Sequence, residues 1–181
     1  MTLFDEHAVV LVTGISASGK STVGEALARR FPRGVHVRGD AFRRMVVSGR
    51  AEMTANPSDE AVRQLQLRYG ITARVTDAYF DAGFSCVLQD VILGRALQEV
   101  VDAVRARPLY VVVLCPSVDA VAAREAERNK TGYPPGHHSI EVLDRGLRTE
   151  TPRIGLWLDT SDLSVDNTVA EISARAGEAK V

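Results

Sequence analysis

The stretch "GISASGKS", Gly14 to Ser21, fits G-x-x-x-x-G-K-[ST] at every fixed position. Its residue types suit phosphate chemistry. Gly14 and Gly19 allow a tight turn in which successive N–H groups converge on one concavity, and the intervening Ile15, Ser16, Ala17 and Ser18 contribute backbone donors. Lys20 reaches β- and γ-phosphates, the Ser21 hydroxyl ligates Mg²⁺, and Thr22 opens the following helix, whose positive end faces the anion. The expected cofactors are ATP and Mg²⁺.

A bound phosphoryl group can be used in different ways, and other residues discriminate among them. Asp40 closes "GVHVRGD" and lies 20 residues after Lys20. At the end of a second strand beside the first, its carboxylate is placed to accept a proton from an attacking hydroxyl, a service of about 10²–10⁴ in rate. Capping a helix that starts at Ala41 is its structural alternative. Asp90 ends "CVLQD" and is a candidate for Mg²⁺ or for the acceptor. No glutamate follows it, so the water-polarising base of a motor ATPase is not evident. "NKTG" (129–132) lacks the aspartate of a guanine-recognition box.

Arg124 and Arg128 are spaced to share a helix face. They read as a lid closing over the transferring phosphoryl group, a contribution of about 10³–10⁵. Ion pairs with Glu125 and Glu127 on a solvated helix are the alternative. The Gly- and Pro-rich segment 131–138 suits a lid that opens. Arg43, after Asp40, and Arg63, Arg68 and Arg74, on a long helical segment, are candidate acceptor contacts. Adjacent His137 and His138 suit no chelating geometry and read as loop residues.

These residues need strands that end where they begin. "AVVLVT" (8–13), "GVHVRGD" (34–40), "FSCVLQD" (84–90), "LYVVVLC" (109–115) and "RIGLWLDT" (153–160) are strand-like. Helical patterns separate them: 20–31, 41–50, 59–82 with Gly70 as a weak point, 95–107, 117–130 capped by Ser117, 139–150, and 164–176 ending at Gly177. "AEMTANPS" (51–58) reads as a loop. Strands alternating with helices imply parallel pairing through right-handed crossovers. The expected fold is a three-layer α/β/α sandwich of about five parallel strands in order 2-3-1-4-5, with a small helical lid (117–153) and ligands at the strand C-terminal ends.

The 181 residues suggest one domain, and 45% hydrophobic content supplies a full core. A net charge of -1 gives no basic excess for coating nucleic acid or a membrane surface. No apolar run approaches the ~20 residues of a membrane helix. The acidic N-terminus does not read as a signal peptide. Cys86 and Cys115 fall in strand-like runs and read as buried thiols, which suggests the cytoplasm.

Over nearly its whole length the chain resembles the P-loop kinase families around chloramphenicol phosphotransferase and zeta toxin, often described as AAA-family ATP-binding proteins. "GISASGKS" is similar to their phosphate loop and "VRGDAF" to the segment ending in their catalytic aspartate. "GFSCVLQDVILG" resembles the third-strand block of chloramphenicol phosphotransferase, and "REAERNKTGY" resembles the lid. The resemblance implies transfer of the γ-phosphoryl group of ATP to a hydroxyl of a small molecule. It makes Asp40 the base, Lys20 and Ser21 the phosphate and Mg²⁺ contacts, and Arg124 and Arg128 the lid arginines. One departure is Gln89, where chloramphenicol phosphotransferase tends to carry a further acid. Segment 41–82 matches no pattern, so the acceptor stays open. A nucleoside or polynucleotide 5′-hydroxyl kinase and an ATP-binding sensor remain alternatives.

Overall fold

The computed structural model describes residues 7–128 and 132–181. The opening acidic residues and Asn129–Thr131 of the lid-like segment therefore lie outside the described residues. Five parallel strands form one sheet in the order β2-β3-β1-β4-β5. They are β1 (Val9–Thr13), β2 (Gly34–Arg38), β3 (Ser85–Gln89), β4 (Leu109–Leu114) and β5 (Leu156–Leu158).

Strand alternation explains why the central strands are apolar without interruption. Val9 and Leu11 of β1 face one layer, together with Cys86, Leu88, Val111 and Val113. Val10 and Val12 face the other, with Val87, Tyr110, Val112 and Leu114. The first layer is covered by α3 (Asp59–Asp81), α4 (Ala96–Ala103), α5 (Val118–Ala126) and α6 (Ile140–Glu150). The second is covered by α1 (Lys20–Arg30), α7 (Val165–Ala174) and the short α8 (Ala176–Ala179). The remaining helix, α2 (Gly39–Met45), starts directly off β2. Both cysteines are buried free thiols.

Serine hydroxyls set four helix starts. Ser58, Ser117, Ser139 and Ser164 each accept from the backbone N–H three residues on. Helix α3 runs unbroken through Gly70, where nothing crowds the backbone. Helix α2 stops at Met45, short of the expected 50, as Val46 turns extended and Gly49 takes a positive φ of 72°. Helix α4 stops at Ala103 rather than 107. The Asp77 carboxylate takes the N–H groups of Arg105 (3.1 Å) and Ala106 (2.9 Å), and Pro108 disfavours helix at the residue before it. Strand β5 is shorter than 153–160 because Gly155 adopts φ 70°, packed on the Val111 carbonyl where no side chain fits.

Helix α7 ends at Ala174, and the expected stop at Gly177 instead falls inside α8. The chain then returns to the sheet. Lys180 bridges Tyr110 in antiparallel fashion, and Val181 N–H donates to the Leu109 carbonyl (3.0 Å).

Candidate active site

Gly14, with φ 146°, follows β1 directly, and a side chain there would run into the carbonyl of Leu114 at the end of β4. Ala17 (φ 61°) and Gly19 (φ 97°) both adopt left-handed conformations, which curl the backbone around the concavity. Gly19 is the N-cap of α1. The buried hydroxyl of Thr13 accepts from Ile92 N–H and donates to Ile92 O, both at 2.9 Å, which locks the end of β1 to the segment after β3.

Lys20 is buried, and its ammonium donates to the Ile15 carbonyl at 2.6 Å. Burial pushes its pKa down to about 8; the charge of Asp90 opposes this and that of Arg128 adds to it. The buried Ser18 hydroxyl has no hydrogen-bond partner among the described residues. A desolvated ammonium held by one carbonyl, an orphaned hydroxyl and a helix N-terminus with inward-turned backbone are unmet demands that a polyphosphate satisfies. The loop therefore fits a nucleoside triphosphate. The exposed Ser21 hydroxyl has Gln89 Nε2 at 3.4 Å, which places Gln89, one residue before Asp90, at the expected Mg²⁺ contact.

Asp90 follows β3 and is turned toward α3. Its carboxylate is buried against Arg68, with Nε to Oδ2 at 2.8 Å and a guanidinium hydrogen bond to Oδ1 at 3.0 Å. Val91 N–H also donates to Oδ1 at 2.8 Å. Burial pushes its pKa up, against the attraction of Arg68. Sequence reasoning named Arg68 only as an acceptor contact, because its pairing with Asp90 spans the α3–β3 connection. No group of three or more His, Cys, Asp or Glu residues able to hold a metal occurs among the described residues.

Helix α2 has Arg38 as its N-cap, so Asp40 stands in the first turn rather than capping a helix at Ala41. It faces the same cleft as Lys20 and makes ion pairs with Arg43 (3.0 Å) and Arg44 (3.4 Å). Arg43 also grips both Glu52 carboxylate oxygens, at 2.8 and 2.6 Å. The cleft encloses about 1210 Å³ and runs from the phosphate loop past Asp40 to α3. Arg74 is exposed on α3 and does not line it.

Arg124 and Arg128 have different surroundings. Helix α5 ends at Ala126, so Arg128 lies past it and the two do not share one helix face. Arg124 donates to the carbonyls of Thr160 (2.5 Å) and Ser161 (3.3 Å) and to Ser18 O (3.4 Å). It ties the loop after β5 to the phosphate loop. Arg128 pairs with Glu125 (3.1 Å) and lowers the pKa of Lys20. Beyond them Tyr133 donates to Ser16 O at 2.7 Å, and Gly136 O accepts from Ala55 N–H at 3.0 Å. His137 and His138 line the cleft from this loop. No helix among the described residues is long and apolar enough to cross a membrane.

The architecture has known counterparts. A sugar kinase from Janibacter sp. HTCC2649 superposes with a TM-score of 0.69 at 20% identity over 95% of both chains. The tunicamycin resistance protein of Deinococcus radiodurans gives 0.66 at 13% identity, covering 96% of this chain and 98% of that one. A gluconokinase from Sinorhizobium meliloti 1021 gives 0.61 at 21% identity, covering 94% and 91%. At these identities the likeness concerns the fold, that of a P-loop kinase. No curated protein matches the chain in sequence. A model of the AAA domain family matches residues 9–152, the span that carries the phosphate loop, Asp40, Asp90 and both arginines, and the chain belongs to that family.

Proposed function

We propose that the protein is an ATP-dependent O-phosphotransferase with a small-molecule hydroxyl acceptor. The observation that carries this reading is convergence on one cleft. Lys20, Asp40 and Asp90 line one cleft, and Gly39, next to Asp40, packs against the Asp90 carboxylate, so the phosphate loop and the first turn of α2 address the same space.

The roles follow from placement. The backbone of 14–19, Ser18 and Lys20 hold the β- and γ-phosphates. Ser21, with Gln89 beside it, is the protein contact for Mg²⁺, which would neutralise charge on the phosphate oxygens. Arg124 orders the loop after β5 at the nucleoside end, while Arg128, near Lys20, meets charge developing on the transferred group. Asp40 orients the acceptor hydroxyl and takes its proton as the acceptor oxygen bonds to the γ-phosphorus and the bond to ADP breaks. Asp90 and Arg68 form the floor between donor and acceptor. Phe42, Leu65 and Leu93 give the acceptor side partly apolar walls, which suit a natural product such as an antibiotic. Two buried free thiols suit a reducing, cytoplasmic setting.

The test is a screen of hydroxyl compounds with labelled ATP, read as the mass gain of one phosphoryl group, on wild type and Asp40→Asn. Transfer by wild type and not by the variant supports the reading. Equal transfer by both removes Asp40 from it, and ATP binding with no transfer to any compound favours a sensor.

A further inference from the structure

The segment beside the acceptor side of the cleft carries a surplus of cations in a chain of net charge -1. Between residues 38 and 52, Arg38, Arg43, Arg44 and Arg50 stand against Asp40 and Glu52 alone. Arg38 makes no ion pair among the described residues. The phosphate loop has its own cations in Lys20, Arg124 and Arg128, so this excess is not needed for the donor.

One contact shows what the excess is shaped to hold. Arg43 donates from Nε to Asp40 Oδ1 (3.0 Å) and from Nη1 to both carboxylate oxygens of Glu52 (2.8 and 2.6 Å). Arg50 Nε adds a second contact to Glu52 at 3.0 Å. Glu52 comes from the loop between α2 and α3 and its side chain is exposed, so a solvent-accessible carboxylate sits on Arg43 Nη1 beside the base. A guanidinium fork matches planar carboxylate or phosphate oxygens, and such charge-assisted contacts are stronger than neutral ones.

We propose that the acceptor carries an anionic group, a carboxylate or a phosphate, a few bonds from its reactive hydroxyl, and that Glu52 occupies the place of that group until the acceptor displaces it. Arg43 then anchors the anion while its contact with Asp40 brings the hydroxyl to the base. This deepens, and rests on, the phosphotransferase reading. It makes the substrate class a hydroxy acid or hydroxy phosphate rather than a neutral alcohol.

The test uses matched probes that differ in charge. These are glycerate and glycerol 3-phosphate against glycerol, and 3-phenyllactate against 3-phenylpropane-1,2-diol, the phenyl pair engaging the apolar walls. Binding to the intact protein is measured by calorimetry, and transfer is measured separately with ATP. Anionic probes are expected to bind and their neutral counterparts not to. Glu52→Gln is expected to tighten anion binding about two- to five-fold, the scale of one exposed ion pair removed from competition. Its ATP affinity should stay unchanged, and Arg43→Gln should abolish anion binding. Comparing glycerate with glycerol 3-phosphate tells carboxylate from phosphate. Equal binding of charged and neutral partners, or anion binding that Glu52→Gln leaves alone or weakens, overturns the inference. If neutral probes are phosphorylated and anionic ones are not, only this inference fails. If nothing is phosphorylated while anions bind as described, the anion site stands and the transfer reading fails.

Discussion

The carboxylate of Asp90 lies against the α-carbon of Gly39. A methyl group added there would overlap Oδ2 and stand 2.6 Å from Cγ and 3.1 Å from Cβ. Asp90 cannot simply yield, because Arg68 and Val91 N–H hold both its oxygens. Gly39→Ala is therefore expected to cost about 1–3 kcal/mol as an overpacking change. It should also tilt the first turn of α2 and with it Asp40. Chemical denaturation checks the first effect, and loss of transfer with retained ATP affinity checks the second.

Asp40→Asn keeps size and shape and removes charge and basicity. The ion pairs it loses are half-exposed, so stability should move by less than about 1 kcal/mol. ATP affinity should hold, since Asp40 lies outside the phosphate loop. Transfer should fall by about two orders of magnitude or more. Melting, calorimetry and turnover on this one variant separate a base from a structural aspartate.

Lys20 gives a pH prediction. With the folded pKa lowered to about 8, both states are charged below pH 8 and the burial cost is fully present. As pH rises from about 8 toward the ordinary lysine value, the unfolded chain binds more protons, so stability increases through that window. Phosphates draw the proton back. Nucleotide binding near pH 8 is expected to take up about half a proton, seen as different apparent enthalpies in buffers of different ionisation enthalpy. No uptake would contradict a desolvated Lys20. Lys20→Ala should fold and lose transfer.

The two arginines should separate kinetically. Arg124 joins the loop after β5 to the phosphate loop through three carbonyls, so Arg124→Ala should raise the KM for ATP and lower the melting temperature. Among the described residues the one ion pair of Arg128 is with Glu125, so Arg128→Ala should lower kcat with little change in ATP affinity. Steady-state kinetics with ATP varied decides both.

Gly70 offers a stability prediction away from the site. It lies inside α3 with nothing within reach of an added methyl. Gly70→Ala should stabilise the protein by about 1 kcal/mol, the helix-propensity difference, as read by thermal melting.

What the sequence disclosed follows the range of the interactions concerned. The phosphate loop is local, so its glycines, Lys20 and Ser21 are legible from spacing alone. Strands β1, β3 and β4 are buried on both faces and leave apolar runs legible in the sequence, while the edge strands β2 and β5 are shorter or mixed in character, and β5 is shorter than its sequence pattern suggests. The serine at 117 announced its helix, but Asp77 ended α4 early by taking N–H groups from a segment far along the chain. In the same way, Arg68 claims Asp90, Gln89 approaches Ser21, and Arg43 bridges Asp40 and Glu52. Apart from the Arg43–Asp40 pair, which spans one helical turn, each of these depends on proximity that residue type does not signal. Arg74 shows the converse. Its charge suggested an acceptor contact, and its position on α3 turned it away from the cleft.

The return of the chain to Tyr110 bears on solubility. Strand β5 pairs only with Val112–Leu114, which leaves the first half of β4 open along that side. That half belongs to a run of six buried apolar residues, a sequence suited to recruiting strands from other molecules. The bridge from Lys180 and the bond from Val181 to Leu109 occupy those backbone groups. Lys180 and Val181 thus cover a stretch of edge that would otherwise be open to pairing. Removing both would leave the lining of the cleft untouched while exposing that flank of β4.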